Sequence, residues 1–510
     1  METIKNNSIN KFLPKDEQEL NEKESSTYIE EIIKNLEWSI RVHDLERGAS
    51  FYNKSFQNWV LMKEQIGLKN ANKLISLYEE LIGLKWIDNS LLSKFLEGFS
   101  KLLQRCKSEK LNVELKLSWR SAYDLIEERI YSNRYRGYLR GENSIKNLKN
   151  KLISFAKMIN KFKKGENNTN EILKLIRPFI CQKEKIIYKA VGYLSLFLSG
   201  SEAEHWLAEL MQIWKSMKGD DNWNSIFINL AFKAAKKGSN IDWNQHLEFI
   251  FTQIQESFKV GLDKLPKVSN DNGCPKSYHW ISKSGATSQY YTTGKLIATL
   301  LSKDSSFSSV VYEKSQSLLS TLEIYCNPSN HGDWAKRISS SILGISFCFA
   351  KNMKNKNEIS NYENKIFEKI VSLNTLLMYS KAYEVPDLSR KTFYNLAQVN
   401  KELILNKVIE IVFTGLNNSL ATHQIGLSFE LLAQMSSFLF DGTWEDGSKH
   451  LDSILQISLS GIDFNDQNKT QATFKFLYSL FSIIPITDKL SQPKNNFQQE
   501  ISERNPFSDW

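Results

Sequence analysis

Proline and glycine are scarce in this chain, at 9 and 22 of 510 residues. A β-rich protein of this length, turning tightly about every ten residues, would carry more of both, so helix is the expected currency. Cysteine is scarcer: Cys106, Cys181, Cys274, Cys326 and Cys348 are far apart and never form CxxC. That excludes a disulfide framework and the usual thiol spacing of zinc sites, and it fits reduced thiols in the nucleus or cytoplasm. Histidine numbers 7, none in HExxH, and Glu204-His205 lacks a second histidine one helical turn away. No metal is expected. No apolar run approaches the ~18 residues of a membrane span. The opening METIKNNSINKFLPKDEQEL has no apolar core of a secretory signal. Neither a membrane partner nor export is expected.

Apolar residues, by contrast, are plentiful, at 41%, with 29 Phe, 19 Tyr and 12 Trp. The chain is too long for one compact core, so it forms several domains or one elongated array. The apolar positions settle which. Ile29, Ile32, Ile33, Leu36 and Ile40 recur at helical spacing, as do Trp119, Ala122, Tyr123, Ile126 and Ile130 after a capping Ser118. Leu247, Ile250, Phe251, Ile254 and Phe258 repeat it, and so do Leu405, Val408, Ile409 and Val412. Gaps are short and polar, which makes neighbouring helices antiparallel. Successive hairpins start roughly 40 to 50 residues apart, within the HEAT range. The expected fold is all-α: an irregular HEAT-like α-solenoid of stacked antiparallel helical hairpins. Each hairpin buries its stripe against its neighbours, so no single-core limit applies.

The rhythm divides the chain into an N-terminal extension at 1–26, a helical-repeat array at 27–485, and a tail or truncated start of the next repeat at 486–510. Breaks within the array fall near 133–150 and 262–288. Positive charge gathers around the first break: Arg134, Arg136 and Arg140 precede seven lysines between Lys146 and Lys164. Such a segment holds an anion or an acidic partner, or is a solvated face.

Four side-chain types of covalent hydrolysis meet in one short stretch, Cys326, Ser329, His331 and Asp333. Catalytic groups are normally assembled from distant segments and oriented by a third group, which a single turn seldom achieves. As a turn the stretch accounts for itself. Leu318, Leu319, Leu322 and Tyr325 close one helix, Pro328 stops it, and Asp333 is placed to cap the next, whose stripe is Trp334, Ile338, Ile342 and Ile345. Gly294-Lys295 fails as a phosphate loop, because Leu296 follows and Gln289 replaces the first glycine. The run Asp463 to Asn468 fails as a calcium loop, with Asn468 at the glycine position and Phe474 at the twelfth. It reads as a polar turn into a helix carrying Phe474, Leu477, Leu480 and Phe481. No catalytic or metal residue is assigned.

PSNHGDW resembles the Pro-Ser-Asn-x-Gly-x-Trp turn of the large HEAT-repeat proteasome activators, the proteasome activator complex subunit 4 or two-hundred-kilodalton activator family. Asn10-Lys11-Phe12-Leu13-Pro14 is similar to the family's opening Asn-Lys-x-Leu-Pro. Trp119-Arg120, Tyr123-Asp124-Leu125 and Ile130-Tyr131-Ser132 match its Trp-Arg-x-x-Tyr-Asp helix. Arg177-Pro178 with Cys181, Ile241-Asp242-Trp243, and Gly461-Ile462-Asp463 with Asn465-Asp466, Thr473-Phe474 and Pro485 follow in order.

The resemblance implies an α-solenoid doming over the α-subunit ring of the 20S core particle. It implies gate opening, stimulated peptide hydrolysis, acetylated histone turnover and DNA repair, and residence in nucleus and cytoplasm. It requires no cofactor, although family members hold inositol phosphate in basic openings; no residue here is assigned to that ligand, and the Arg134–Lys164 segment is the candidate. Family members end in a hydrophobic-Tyr-x tail, whereas Asp509 stands at that position here. The likeness is therefore expected to cover the N-terminal portion only, with acetylated histones reached through regions outside it. The expected function is a non-catalytic proteasome activator. The alternative is a generic α-solenoid protein-binding scaffold such as a nuclear transport receptor. Direct nucleic acid binding through the basic segment is not expected.

Overall fold

A computed structural model of the chain describes residues 15–61, 64–131, 142–162, 168–180, 184–217, 221–238, 241–256, 285–303, 306–327, 333–354, 359–382, 384–417 and 422–484. Among them are twenty α-helices and no strand. The all-α fold is thus as the spacing of apolar residues predicts. No helix among the described residues is long and apolar enough to cross a membrane. By contacts, the described residues 15–202 form one compact unit and 203–484 another. The first expected break, at 133–150, lies partly and the second, at 262–288, almost wholly outside the described residues, as does the tail from 486.

The first unit holds α1 (Lys15–Arg41), α2 (Ser50–Leu61), α3 (Leu68–Gly83), α4 (Asn89–Ser108), α5 (Trp119–Ile126), α6 (Glu142–Phe162), α7 (Thr169–Ile180) and α8 (Glu184–Phe197). α1 begins ahead of the residue-27 boundary, and its buried stripe starts at Ile29. Helices α2, α4, α6 and α8 pack in a row, each against the next. Ser118 starts α5 as its spacing requires, its hydroxyl accepting from the Ser121 amide at 3.4 Å.

One expectation fails just after. Ile130 is only half-buried, and Arg129 is 1% exposed. Residues Glu127–Tyr131 form a π-helical turn. Its extra residue per turn rotates the register, so the arginine enters where the 3.6-residue stripe places the isoleucine.

The second unit holds α9 (Leu207–Ser216), α10 (Asp221–Lys237), α11 (Asn244–Glu256), α12 (Gly285–Leu301), α13 (Ser308–Glu323), α14 (Asp333–Met353), α15 (Asn361–Leu377), α16 (Glu384–Ala397), α17 (Lys401–Leu416), α18 (Thr422–Leu439), α19 (Gly447–Leu459) and α20 (Gln467–Phe481). The even helices α10 to α20 again form a row, each packed on the next, while α11, α13 and α15 follow one another alongside. This is the HEAT arrangement in which a hairpin has no core of its own. Aromatic rings fill the row: Trp214 stacks on Phe227 at 5.3 Å, and Phe429 on Phe476 at 5.9 Å. Gly294 lets α12 and α14 touch, because a Cβ there would meet the Ile345 carbonyl oxygen at 2.1 Å.

Candidate functional site

The stretch beginning at Cys326 is a helix-to-helix connection on the described side. α13 ends at Glu323, with Leu318, Leu319 and Leu322 buried, and α14 starts at Asp333, with Ile338, Ile342 and Ile345 buried. Ser329 and His331 lie outside the described residues, as do the side chains of Asp333 and Trp334. Cys326 is fully buried, and its Sγ–H donates to the Leu322 carbonyl at 3.8 Å. Burial, then the Glu323 carboxylate, push its thiol up to about 12. Such a sulfur stays protonated at neutral pH and is a packing atom rather than a nucleophile.

The other candidates also have structural duties. Asp463 accepts from the Asn465 amide at 2.9 Å, and Asp466 caps α20 by accepting from the Lys469 amide at 3.0 Å. His205 is exposed beside the fully buried Trp206. Among the described residues no three His, Cys, Asp or Glu side chains gather as metal ligands would.

Of the basic segment, Arg134, Arg136, Arg140, Lys163 and Lys164 lie outside the described residues, with the side chains of Lys146 and Lys161. Lys151 is ion-paired with Glu97 at 2.6 Å. Lys149 is half-buried, and burial lowers its ammonium to about 8. Lys157 is exposed.

What the surface does present is aromatic. At the end of α1, His43 takes a left-handed conformation (φ 57°), closing the helix where a glycine is usual. The chain then turns, and Asp44 accepts from the Arg47 and Gly48 amides at 3.3 and 3.0 Å. The His43 ring meets Trp86 edge-on at 6.0 Å, and Trp86 is 62% exposed. Beside it, His43, Asp44, Arg47, Trp86, Asp88 and Leu91 line an open recess of about 380 Å³. Trp38 on α1 and Val42, just past its end, are also exposed. No periodicity argument finds this surface, because it is made of the residues left off the buried stripes. Exposed aromatic side chains with polar neighbours suit protein contact better than bond chemistry.

A row of stacked helical hairpins with exposed aromatic patches defines the chain as a HEAT-type repeat protein. The family description "Proteasome activator complex subunit 4, mid HEAT repeats region" matches residues 316–505. The chain is 24% identical over 508 residues to proteasome activator complex subunit 4B of Danio rerio, covering 94% of this chain and 26% of that one. It is 23% identical over 508 residues to subunit 4 of Homo sapiens, again covering 94% and 26%. With proteasome activator subunit 4 of Arabidopsis thaliana the identity is 24% over 360 residues, covering 63% and 19%. The chain is a homologue of the proteasome activator complex subunit 4 family along 94% of its length, and it spans about a quarter of the length of the curated relatives it matches. A solved TOG-domain microtubule polymerase structure aligns with 85% of this chain and 96% of its own at 12% identity, with a TM-score of 0.27.

Proposed function

We propose that this chain is a non-catalytic regulator of proteasomal peptidase activity, a helical-repeat array that docks on the α-subunit ring of the 20S core particle and modulates peptide entry. The observation that carries this reading is the match to proteasome activator complex subunit 4 proteins along 94% of the chain. Two of the candidate reactive groups have structural duties, Cys326 being buried and Asp466 capping α20, while Trp38 and Trp86 face outward. Binding energy in such a protein is spread over many modest contacts on rigid repeats.

Residence in nucleus and cytoplasm, and service in acetylated histone turnover and DNA repair, belong to this proposal through the family resemblance. An inositol phosphate ligand belongs to it on the same resemblance, with the basic segment from Arg134 to Lys164 as the candidate place.

The reading is tested by fluorogenic peptide hydrolysis with purified 20S core particles, with and without the chain. A saturable change in rate supports regulation. An unchanged rate together with binding to a nucleotide-loaded transport GTPase replaces it with the scaffold reading.

A further inference from the structure

The recess beside Trp86 has two walls, and hydrogen bonds to backbone hold both of them. One wall is the turn after α3, which carries the exposed Trp86 and is pinned from within by the buried Arg129. The Arg129 guanidinium donates to the carbonyls of Leu84, Lys85 and Ile87 and, at 3.3 Å, to the Asn89 side chain. The other wall is the turn after α1, where the Asp44 carboxylate accepts from two amides, those of Arg47 and Gly48. A tryptophan left in water contributes little to the fold, and burying a guanidinium beneath it is costly. A large ring held in place before binding, at the edge of a hollow, is what a contact anchor needs. The volume, about 380 Å³, is that of a ligand-sized pocket.

We propose that this recess docks another protein by taking an arginine side chain from an extended segment of it. Charge selects that occupant. Asp44, Glu46 and Asp88 line the recess against one guanidinium, that of Arg47, and the His43 imidazole. Lys85, exposed next to Trp86, is not part of the lining. One Asp88 oxygen accepts from the Ser90 amide at 2.7 Å, and the other has no protein donor among the described residues. An incoming guanidinium lies over the Trp86 ring and turns its N–H fork to that oxygen. Arginine suits the place better than lysine, because its plane stacks on an aromatic ring while its edge meets a carboxylate. The chain as a whole carries a net charge of +9, so the recess is a local acidic spot on a basic protein. A cationic peptide is repelled by the rest of it, and saturable binding therefore reports a local site. The inference needs no core particle and stands apart from the proteasomal reading.

The test is fluorescence anisotropy of a short labelled peptide of alternating arginine and glycine, titrated with the purified full chain without core particles. Saturable binding is expected. The lysine–glycine counterpart should bind several-fold more weakly, and the glutamate–glycine one not at all. Trp86→Ala should weaken binding about 5- to 30-fold, the loss of a partly desolvated cation–π contact. Asp88→Asn keeps the cap of α4, since asparagine also accepts from the Ser90 amide, yet it should weaken binding at least about 3-fold by removing the charge. Trp38→Ala, an exposed aromatic outside the recess, should leave binding unchanged, and far-ultraviolet circular dichroism should be equal for all four proteins. Should the Trp86 variant lose helix, Asp88→Asn decides. No saturable binding, a lysine or glutamate peptide that binds as tightly, indifference to positions 86 and 88, or an equal loss in Trp38→Ala overturns the proposal.

Discussion

The guanidinium of Arg129 donates to the backbone carbonyl of Ile87 across 2.8 Å, joining segments 42 residues apart. The same fork reaches the carbonyls of Leu84 and Lys85 at 3.2 and 3.1 Å. These carbonyls follow the C-terminus of α3, where a cation also meets the negative end of the helix dipole. Arg129→Met should destabilise the protein by about 2–4 kcal/mol, because the buried carbonyls lose charged donors. Arg129→Lys should recover only part of this, since one ammonium does not reproduce the planar fork. Urea unfolding followed by circular dichroism measures both; equal stability of the methionine variant would contradict the assignment.

That arginine marks where sequence reading stopped. Ile29 to Ile40, Leu247 to Ile254 and Leu405 to Val412 are buried as their spacing requires, because helices in a stacked array obey one period. The π-turn at 127–131 was invisible, since one inserted residue changes no composition and only rotates the faces. The helix after the Asp463–Asn468 turn was legible, but which of its apolar residues face inward was not, since Phe474, Tyr478 and Phe481 are exposed while Phe476 and Leu480 are buried. Of the surface, the Cys326 turn was legible as a connection, whereas the His43–Trp86 contact joins the turn after α1 to the turn after α3, a relation absent from any local window.

Cysteine chemistry separates a packing role from a catalytic one. Cys106 and Cys326 are both buried, and burial holds each thiol near about 12. At pH 8 iodoacetamide should leave peptides containing either residue unmodified in the native chain and label them fully after denaturation. Fast native labelling of Cys326 would return that stretch to the list of reactive sites.

Lys149 gives the stability a pH signature. Its folded value, lowered to about 8 by burial, lies below the ~10.4 of an exposed lysine. Below pH 8 the ammonium is charged in both states, and the folded protein bears the full cost of burying it. Between the two values the unfolded chain binds more protons, so stability from this group rises with pH. Lys149→Met should therefore raise Tm at pH 7 and differ less from the parent near pH 10. An equal difference at both values would contradict the assignment.

The proposed function makes this array a proteasome-binding surface. It is tested most directly by size-exclusion chromatography of the purified chain with purified 20S core particles, at low and moderate salt. The account predicts that the chain shifts into the core-particle fractions and that Trp38→Glu/Trp86→Glu shifts less of it. A chain that elutes alone at every ratio and salt concentration would contradict the account.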